Sequence, residues 1–343
     1  MEAGKDRFFE AQLKGEVAPC RETMEKLFLL ANELFRRRPW ELLHEYQIVM
    51  VKSPESGEFC FCMLMGSLGE VVAMQAFVGA EGYRCWQAIQ SGSISTPGEF
   101  LAMHRTLSIQ FVERRELTPP DRELLKALGF EFRRSVRSPM FRSARPGYHP
   151  WHVTEAEART LLACARAVLA VCNSLQPYWD NNGYPLVSVD GVEPAIQIAE
   201  PPRFPEPILK MPELDAAQIA ALRGLRRRGV FEIDRVLSAA MLGEKNDRKA
   251  CTSISLAVDA ETAMAYPPEL GLPEQSKGDV LAMALLSAIR SLDALPRAVR
   301  VRSRENKMLL SGLAAELGIE VEVASQLPAF DFAKKHILGM LEG

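Results

Sequence analysis

The sequence predicts an α+β protein: an N-terminal antiparallel meander with helices, a Pro-rich connector and a C-terminal mixed α/β domain. Apolar runs between Tyr46 and Glu113 alternate with turn residues, the pattern of strands that neighbour one another in space. Thr154 with Glu157 three residues on is a helix-capping signature, and it opens a long amphipathic segment that ends before a proline-dense stretch. From Val230 to Leu341 the chain reads as three strand-like runs, then three helices alternating with two further strands.

Cys20 to Arg38 places Met24, Leu27, Phe28, Ala31, Leu34 and Phe35 on one helical stripe, which Pro39 and Trp40 end. Strands are expected at Tyr46–Val51, Phe59–Met65, Val71–Phe77 and Thr106–Glu113, with Pro54 to Gly57 and Gly66 to Gly69 as turns. Gly79 to Ser91 reads as a loop running into a short helix with Tyr83, Trp86 and Ile89 inward. Thr118 caps a short helix with proline in its first turn, and Gly129 closes it. The long helix runs to about Ser174 with Leu161, Leu162, Ala165, Val168, Leu169 and Cys172 inward.

Residues 177–212 hold eight prolines in 36 positions, with Asn181–Gly183 as a turn. Strand-like pieces at Leu186–Val189 and Ala195–Ile198 fit a small hairpin inside this connector. The expected domains are therefore 1–175, a connector over 176–212, and 213–343. The third region opens with a helix, Asp215–Arg227, stopped by Gly229. Strands follow at Val230–Met241, Thr252–Asp259 and Thr262–Tyr266, then a helix at Lys277–Leu292 and a strand at Ala298–Arg302. Ser303 caps a helix to Leu317, Ile319–Val323 is the last strand, and Phe330–Leu341 the last helix. Short crossovers imply parallel pairing of the last strands. The order β-β-β-α-β-α-β-α resembles the ribonuclease H-like fold.

Arg38-Pro39-Trp40, Met65–Glu70, Phe77-Val78-Gly79, Leu117–Arg122 and Arg145–Trp151 together resemble an uncharacterised bacterial domain family, known as a domain of unknown function. Ser253–Asp259, Pro296–Val301, Leu317-Gly318-Ile319 and Leu327–Phe330 resemble a second such family that often follows the first. The two resemblances cover most of the chain. They imply a domain layout and a bacterial cytoplasmic origin, and they bring no activity and no catalytic residues.

At 343 residues the chain is long for one domain, and 48% hydrophobic with 25% charged residues is ordinary globular usage. A net charge of −3 argues against a globally basic nucleic-acid binder and leaves room for local basic patches. Arginine outnumbers lysine 29 to 12, the bias of a GC-rich bacterial genome. The charged N-terminus has no apolar signal core, and no apolar run reaches the length of a membrane span. The seven cysteines lack disulfide or zinc spacing and are expected as reduced, buried thiols of a cytoplasmic protein.

Three constellations bear on chemistry. A two-metal nuclease needs several carboxylates around cations roughly 4 Å apart. Here the candidates are Asp234 on the first strand, Asp259 at the end of the second and Asp279 at the start of the first helix, whereas the fourth strand ends in Arg302-Ser303. Glu232 and Asp234 also alternate with apolar neighbours, as on any half-exposed strand. The second constellation is basic: Arg297, Arg300, Arg302, Arg304 and Lys307 flank Ser303, and an exposed helix N-terminus among arginines makes an anion site. The third is Arg133, Arg134, Arg137, Arg142 and Arg145 leading into Tyr148, His149 and Trp151, read as packing with stacking on single-stranded nucleic acid as the alternative.

None of His44, His104, His149, His152 and His336 sits at metal-ligand spacing, and no Walker loop, dinucleotide fingerprint or G-x-S-x-G occurs. No metal site and no cofactor are therefore expected. The expectation is a non-catalytic binding or regulatory protein that contacts phosphate or nucleic acid through Arg300, Arg302, Ser303, Arg304 and Lys307. The alternatives are a metal-dependent nuclease using Asp234, Asp259 and Asp279, and a protein–protein adaptor. The partner is left open between nucleic acid and protein, with no membrane.

Overall fold

The computed structural model describes residues 7–130, 137–174, 183–189, 191 and 193–342. Arg133, Arg134 and the Asn181–Gly183 turn, save Gly183 itself, lie outside the described residues. The protein is α+β and divides into two compact units. Unit 1 comprises Met1–Ser95, Met103–Phe204 and Gly243–Lys249; unit 2 comprises Thr96–Ala102, Pro205–Leu242 and Ala250–Gly343.

Unit 1 opens with α1 (Arg21–Arg37), whose buried Met24, Leu27, Phe28, Ala31 and Leu34 form the expected stripe. Then come β1 (Val49–Lys52), β2 (Phe59–Met65), β3 (Ala73–Val78) and α2 (Gly79–Gln90). After α3 (Pro97–Met103), which apart from Met103 belongs to unit 2, unit 1 continues through β4 (Thr106–Val112), α4 (Pro119–Ala127), β5 (Ser138–Ala144) and α5 (Glu155–Asn173). The hairpin β6 (Tyr184–Ser188) and β7 (Ala195–Ala199) completes a seven-stranded sheet of order β5-β4-β3-β2-β1-β6-β7. β1 to β5 are antiparallel neighbours, so the meander forms, and β6 joins β1 in parallel. The hairpin read from the connector thus extends this sheet.

Strand periodicity sets the two faces of β2. Cys60, Cys62 and Leu64 join α1 and α5 in one core cluster. Phe61 points the other way and meets Tyr83 of α2 at 4.6 Å between rings. The caps expected of the short and the long helix here are both present: Thr118 and Asp121 of α4, and Thr154 and Glu157 of α5, make reciprocal capping boxes. In α2, Gly82 is required by packing, because a Cβ there would lie 2.7 Å from the Phe77 carbonyl carbon and 2.8 Å from the Arg105 oxygen.

Unit 2 contains α6 (Ala216–Leu222), β8 (Val230–Leu242), β9 (Ala250–Asp259) and β10 (Glu269–Gly271). It ends with α7 (Lys277–Leu292), β11 (Ala298–Val301), α8 (Arg304–Leu317), β12 (Glu320–Val323) and α9 (Pro328–Glu342). The sheet order is β10-β9-β8-β11-β12: β9 is antiparallel to β8 and β10, and β8, β11 and β12 run parallel. Phe231, Ile233, Val299 and Val301 pack with α7 and α8 in one core. Val236, Leu256 and Val258 face α9 through Leu327, Phe330 and Ala333 in another.

α3 and β5 have no counterpart in the sequence reading, and between Asp215 and Leu341 two elements differ from it. The third strand of this region is Glu269–Gly271, not Thr262–Tyr266. Asp259 Oδ1 accepts from the Thr262 N–H at 2.8 Å and its hydroxyl at 2.9 Å, folding Thr262 into a turn; the bridge Val258↔Ala265 is all the pairing that remains there. The helix before β8 stops at Leu222 rather than Arg227. Arg223 and Arg227 instead donate to the Glu316 and Leu317 carbonyls at the C-terminal end of α8, where cations suit the helix dipole.

Candidate functional site

β8 and β11 lie side by side and parallel, with Glu232 level with Arg300, so the C-terminal end of β11 meets the first half of β8. Even-numbered β8 residues face α9. Glu232, 1% exposed, accepts a hydrogen bond at 2.8 Å from the Phe330 N–H, satisfying one donor at the start of α9.

Asp234, two residues on, shares that face. Its Oδ2 accepts from Arg302 Nε at 3.0 Å and its Oδ1 from Asn306 Nδ2 at 2.9 Å. Arg302 also donates to Asp331 Oδ1 at 2.6 Å and to the Ser325 carbonyl at 3.4 Å. An arginine therefore sits between two carboxylates and carries the positive charge at this strand end.

The other two aspartates serve local structure. Asp259 accepts from the Glu261 and Thr262 N–H groups and the Thr262 hydroxyl, closing the turn after β9. Asp279 accepts from the Ser276 hydroxyl in the cap of α7 and from the Glu213 N–H at 3.1 Å. Among the described residues no group of three or more His, Cys, Asp or Glu side chains is arranged to hold a metal ion.

The basic constellation divides. Arg300 pairs with Glu322 on β12 at 3.2 Å, and Arg302 is engaged as described. Ser303 accepts from the Asn306 N–H at 3.1 Å, so it caps its own helix. Arg304 and Lys307, in the first turn of α8, are exposed, and neither forms an ion pair among the described residues. On the opposite sheet face Lys277 reaches Glu305 at 3.0 Å. Burial draws both Lys277 and neighbouring Arg235 below their ordinary ranges. Asn306, Asp331 and Glu322 escaped the sequence reading. Only Asn306 left a trace there, three residues past the Ser303 cap; the other two depend on strand and helix placement in space.

In unit 1, Arg142 and Trp151 of the arginine–aromatic run are held by contacts within the fold. Arg142 makes two hydrogen bonds to Asp121, at 2.9 and 2.5 Å, with both side chains buried. Burial pulls Asp121 upward, and the hydrogen bonds and charge of Arg142 together with the Thr118 hydrogen bond and His152 offset it, holding the carboxyl below its ordinary range. His152 stacks on Phe9 with ring centroids 4.2 Å apart, and burial lowers it to about 4. Trp151 donates its indole N–H to the Gln12 carbonyl at 2.7 Å. The cysteines are free thiols; hydrogen bonding to Cys164 and then burial push Cys60 well above its ordinary value.

Fold and geometry thus define a two-unit α+β protein with no assembled metal-binding acid cluster among the described residues. Its two parts match two families: Domain of unknown function (DUF7309) over residues 25–183 and Domain of unknown function (DUF6930) over residues 218–338. No curated protein matches the chain. A chain in a cryo-EM structure of a simian T-cell lymphotropic virus intasome in complex with PP2A regulatory subunit B56 gamma aligns at 14% identity with a TM-score of 0.26. That alignment covers 40% of this chain and 45% of that one, and a score so low establishes no shared fold. No helix among the described residues is long and apolar enough to cross a membrane.

Proposed function

We propose that the protein is a bacterial cytoplasmic binding or regulatory protein without catalysis. In this reading its C-terminal domain is ribonuclease H-like, and it contacts phosphate groups of a nucleic-acid backbone through Arg304 and Lys307. The domain reading is supported by the strand order, third-second-first-fourth-fifth in chain sequence, with the second antiparallel to its neighbours. The cytoplasmic reading is supported by free, mostly buried thiols.

The observation that carries the functional reading is the saturation of Asp234. Both its oxygens accept from Arg302 and Asn306, and Arg302 supplies the positive charge that a metal would otherwise bring. Two-metal hydrolysis needs that carboxylate free to bridge cations. Arg304 and Lys307 then remain as outward charges beside the α8 N-terminus, and basic groups at strand ends suit anions.

The test is fluorescence anisotropy of labelled single- and double-stranded oligonucleotides across a salt series. Affinity should fall steeply with salt, and Arg304→Ala with Lys307→Ala should reduce the log–log slope by roughly one per phosphate contact removed. Cleavage in Mg²⁺ or Mn²⁺ that Asp234→Ala abolishes would replace this reading with a nuclease. Capture of a protein partner with no oligonucleotide binding would replace it with an adaptor.

A further inference from the structure

A cavity in unit 1 lies apart from Arg304 and Lys307. The loop Arg145–Trp151 and the segment Asp247–Arg248, both parts of that unit, border this cavity of about 380 Å³. Pockets of this size accommodate small ligands.

Three cations, Lys14, Arg145 and Arg248, meet three carboxylates, Asp247, Glu16 and Glu157, and the pairing is uneven. Lys14 pairs with Asp247 at 2.7 Å. Arg145 pairs with Glu16 and, at 3.0 Å, with Glu157. Arg248 has no carboxylate partner among the described residues. It donates to the Ser143 carbonyl at 2.8 Å and to the Ser143 hydroxyl at 3.3 Å, and its enclosed Nε–H has no partner among them. Burial, reinforced by repulsion from Arg145 and opposed by attraction to Glu157 and Glu16, lowers Arg248 to about 10. A guanidinium without a carboxylate of its own, and with an N–H lacking an acceptor, is satisfied by an incoming anion.

Tyr148 and Trp151, both half-buried, line the same cavity. The indole is fixed by its bond to the Gln12 carbonyl and by edge-on contact with His152 at 5.3 Å between ring centroids. Charge and aromatic surface together fit a ligand with an anionic group and a planar ring.

We propose that this cavity binds a nucleoside monophosphate, its phosphate drawn to Arg248 and Arg145 and its base against Tyr148 or Trp151. The ligand is either a free nucleotide or the 5′-phosphorylated end of a single strand, which share this chemistry. The site does not depend on Arg304 or Lys307.

Calorimetric titration of the full chain with AMP, CMP, inorganic phosphate and a 5′-phosphorylated oligothymidylate tests it. Saturable 1:1 binding of a nucleotide is expected, with inorganic phosphate weaker. Arg248→Gln should lower affinity about tenfold or more, as loss of a charge-assisted contact does. Tyr148→Ala should lower it too, and Arg304→Ala with Lys307→Ala should leave it unchanged. Tighter binding of the phosphorylated strand than of free nucleotide assigns the strand end; equal or weaker binding assigns the free nucleotide. Absence of saturable binding by any probe to the wild-type chain overturns the proposal. So does full affinity in an Arg248→Gln variant that unfolds at the wild-type temperature.

Discussion

Arg142 and Asp121 in unit 1 meet out of water, with side chains 10% and 5% exposed, whereas Arg302 in unit 2 reaches Asp234 and Asp331 with 38%, 16% and 44% exposed. Both aspartate–arginine contacts use short hydrogen bonds, and both involve an acid in the first turn of a helix. Burial separates their consequences. A buried pair is costly to break because the surviving charge is stranded, whereas an exposed pair surrenders its partner to water. Short distances therefore do not rank the two sites. Unit 1 is held by its pair; unit 2 uses its cluster to set the charge at a strand end.

The largest expected effect follows directly. Asp121→Ala should destabilise unit 1 by about 3–5 kcal/mol, since it strands Arg142 and also removes the α4 capping box. Urea unfolding measures it, and a loss below about 1 kcal/mol would place this pair with exposed ones.

Acid sharpens the same contrast. Burial lowers His104 and His152 to about 4, so both stay neutral in the folded unit down to that pH. In the unfolded chain each takes its proton near pH 6.5, so stability is lost as pH falls between those values, by roughly 3 kcal/mol per histidine. Unfolding temperature between pH 7 and 4 reads this out. His152→Asn should flatten the dependence; an unchanged slope would show that His152 charges in the folded state.

Glycine contacts give a smaller effect in each unit. Gly82→Ala in unit 1 and Gly98→Ala in unit 2 press a methyl on backbone, in the second case 2.5 Å from the Leu237 carbonyl carbon and oxygen. Each should cost about 1–3 kcal/mol in denaturant unfolding, because backbone gives little. Smallest is Arg302→Ala, expected within about 1 kcal/mol by the same measurement. A loss of 3 kcal/mol would make this cluster a structural pair like Arg142–Asp121.

Much of the fold was legible because the elements carry their own punctuation. α7 matches its expected bounds, and α8 was bracketed by the Ser303 cap and Gly318, whose φ of 62° suits a glycine. β5 was not legible. Arg142 and Ser143 are buried there by partners on other elements, Asp121 for the first and Glu157 and Arg248 for the second, so period-two alternation fails. β10 was displaced because the Asp259 turn consumed the residues that read as a strand. At the candidate site the sequence marked Asp234 and Arg302 separately. Their pairing depends on β8 and β11 lying side by side, which spacing along the chain does not encode.

Manganese titration of the wild-type chain, followed by spin relaxation and run beside an Asp234→Ala variant, tests most directly whether arginine has taken the metal's place. Both proteins should give the same weak, non-saturating response, because Asp234 is already committed to Arg302 and Asn306. Saturable manganese binding that disappears with Asp234→Ala would contradict the account.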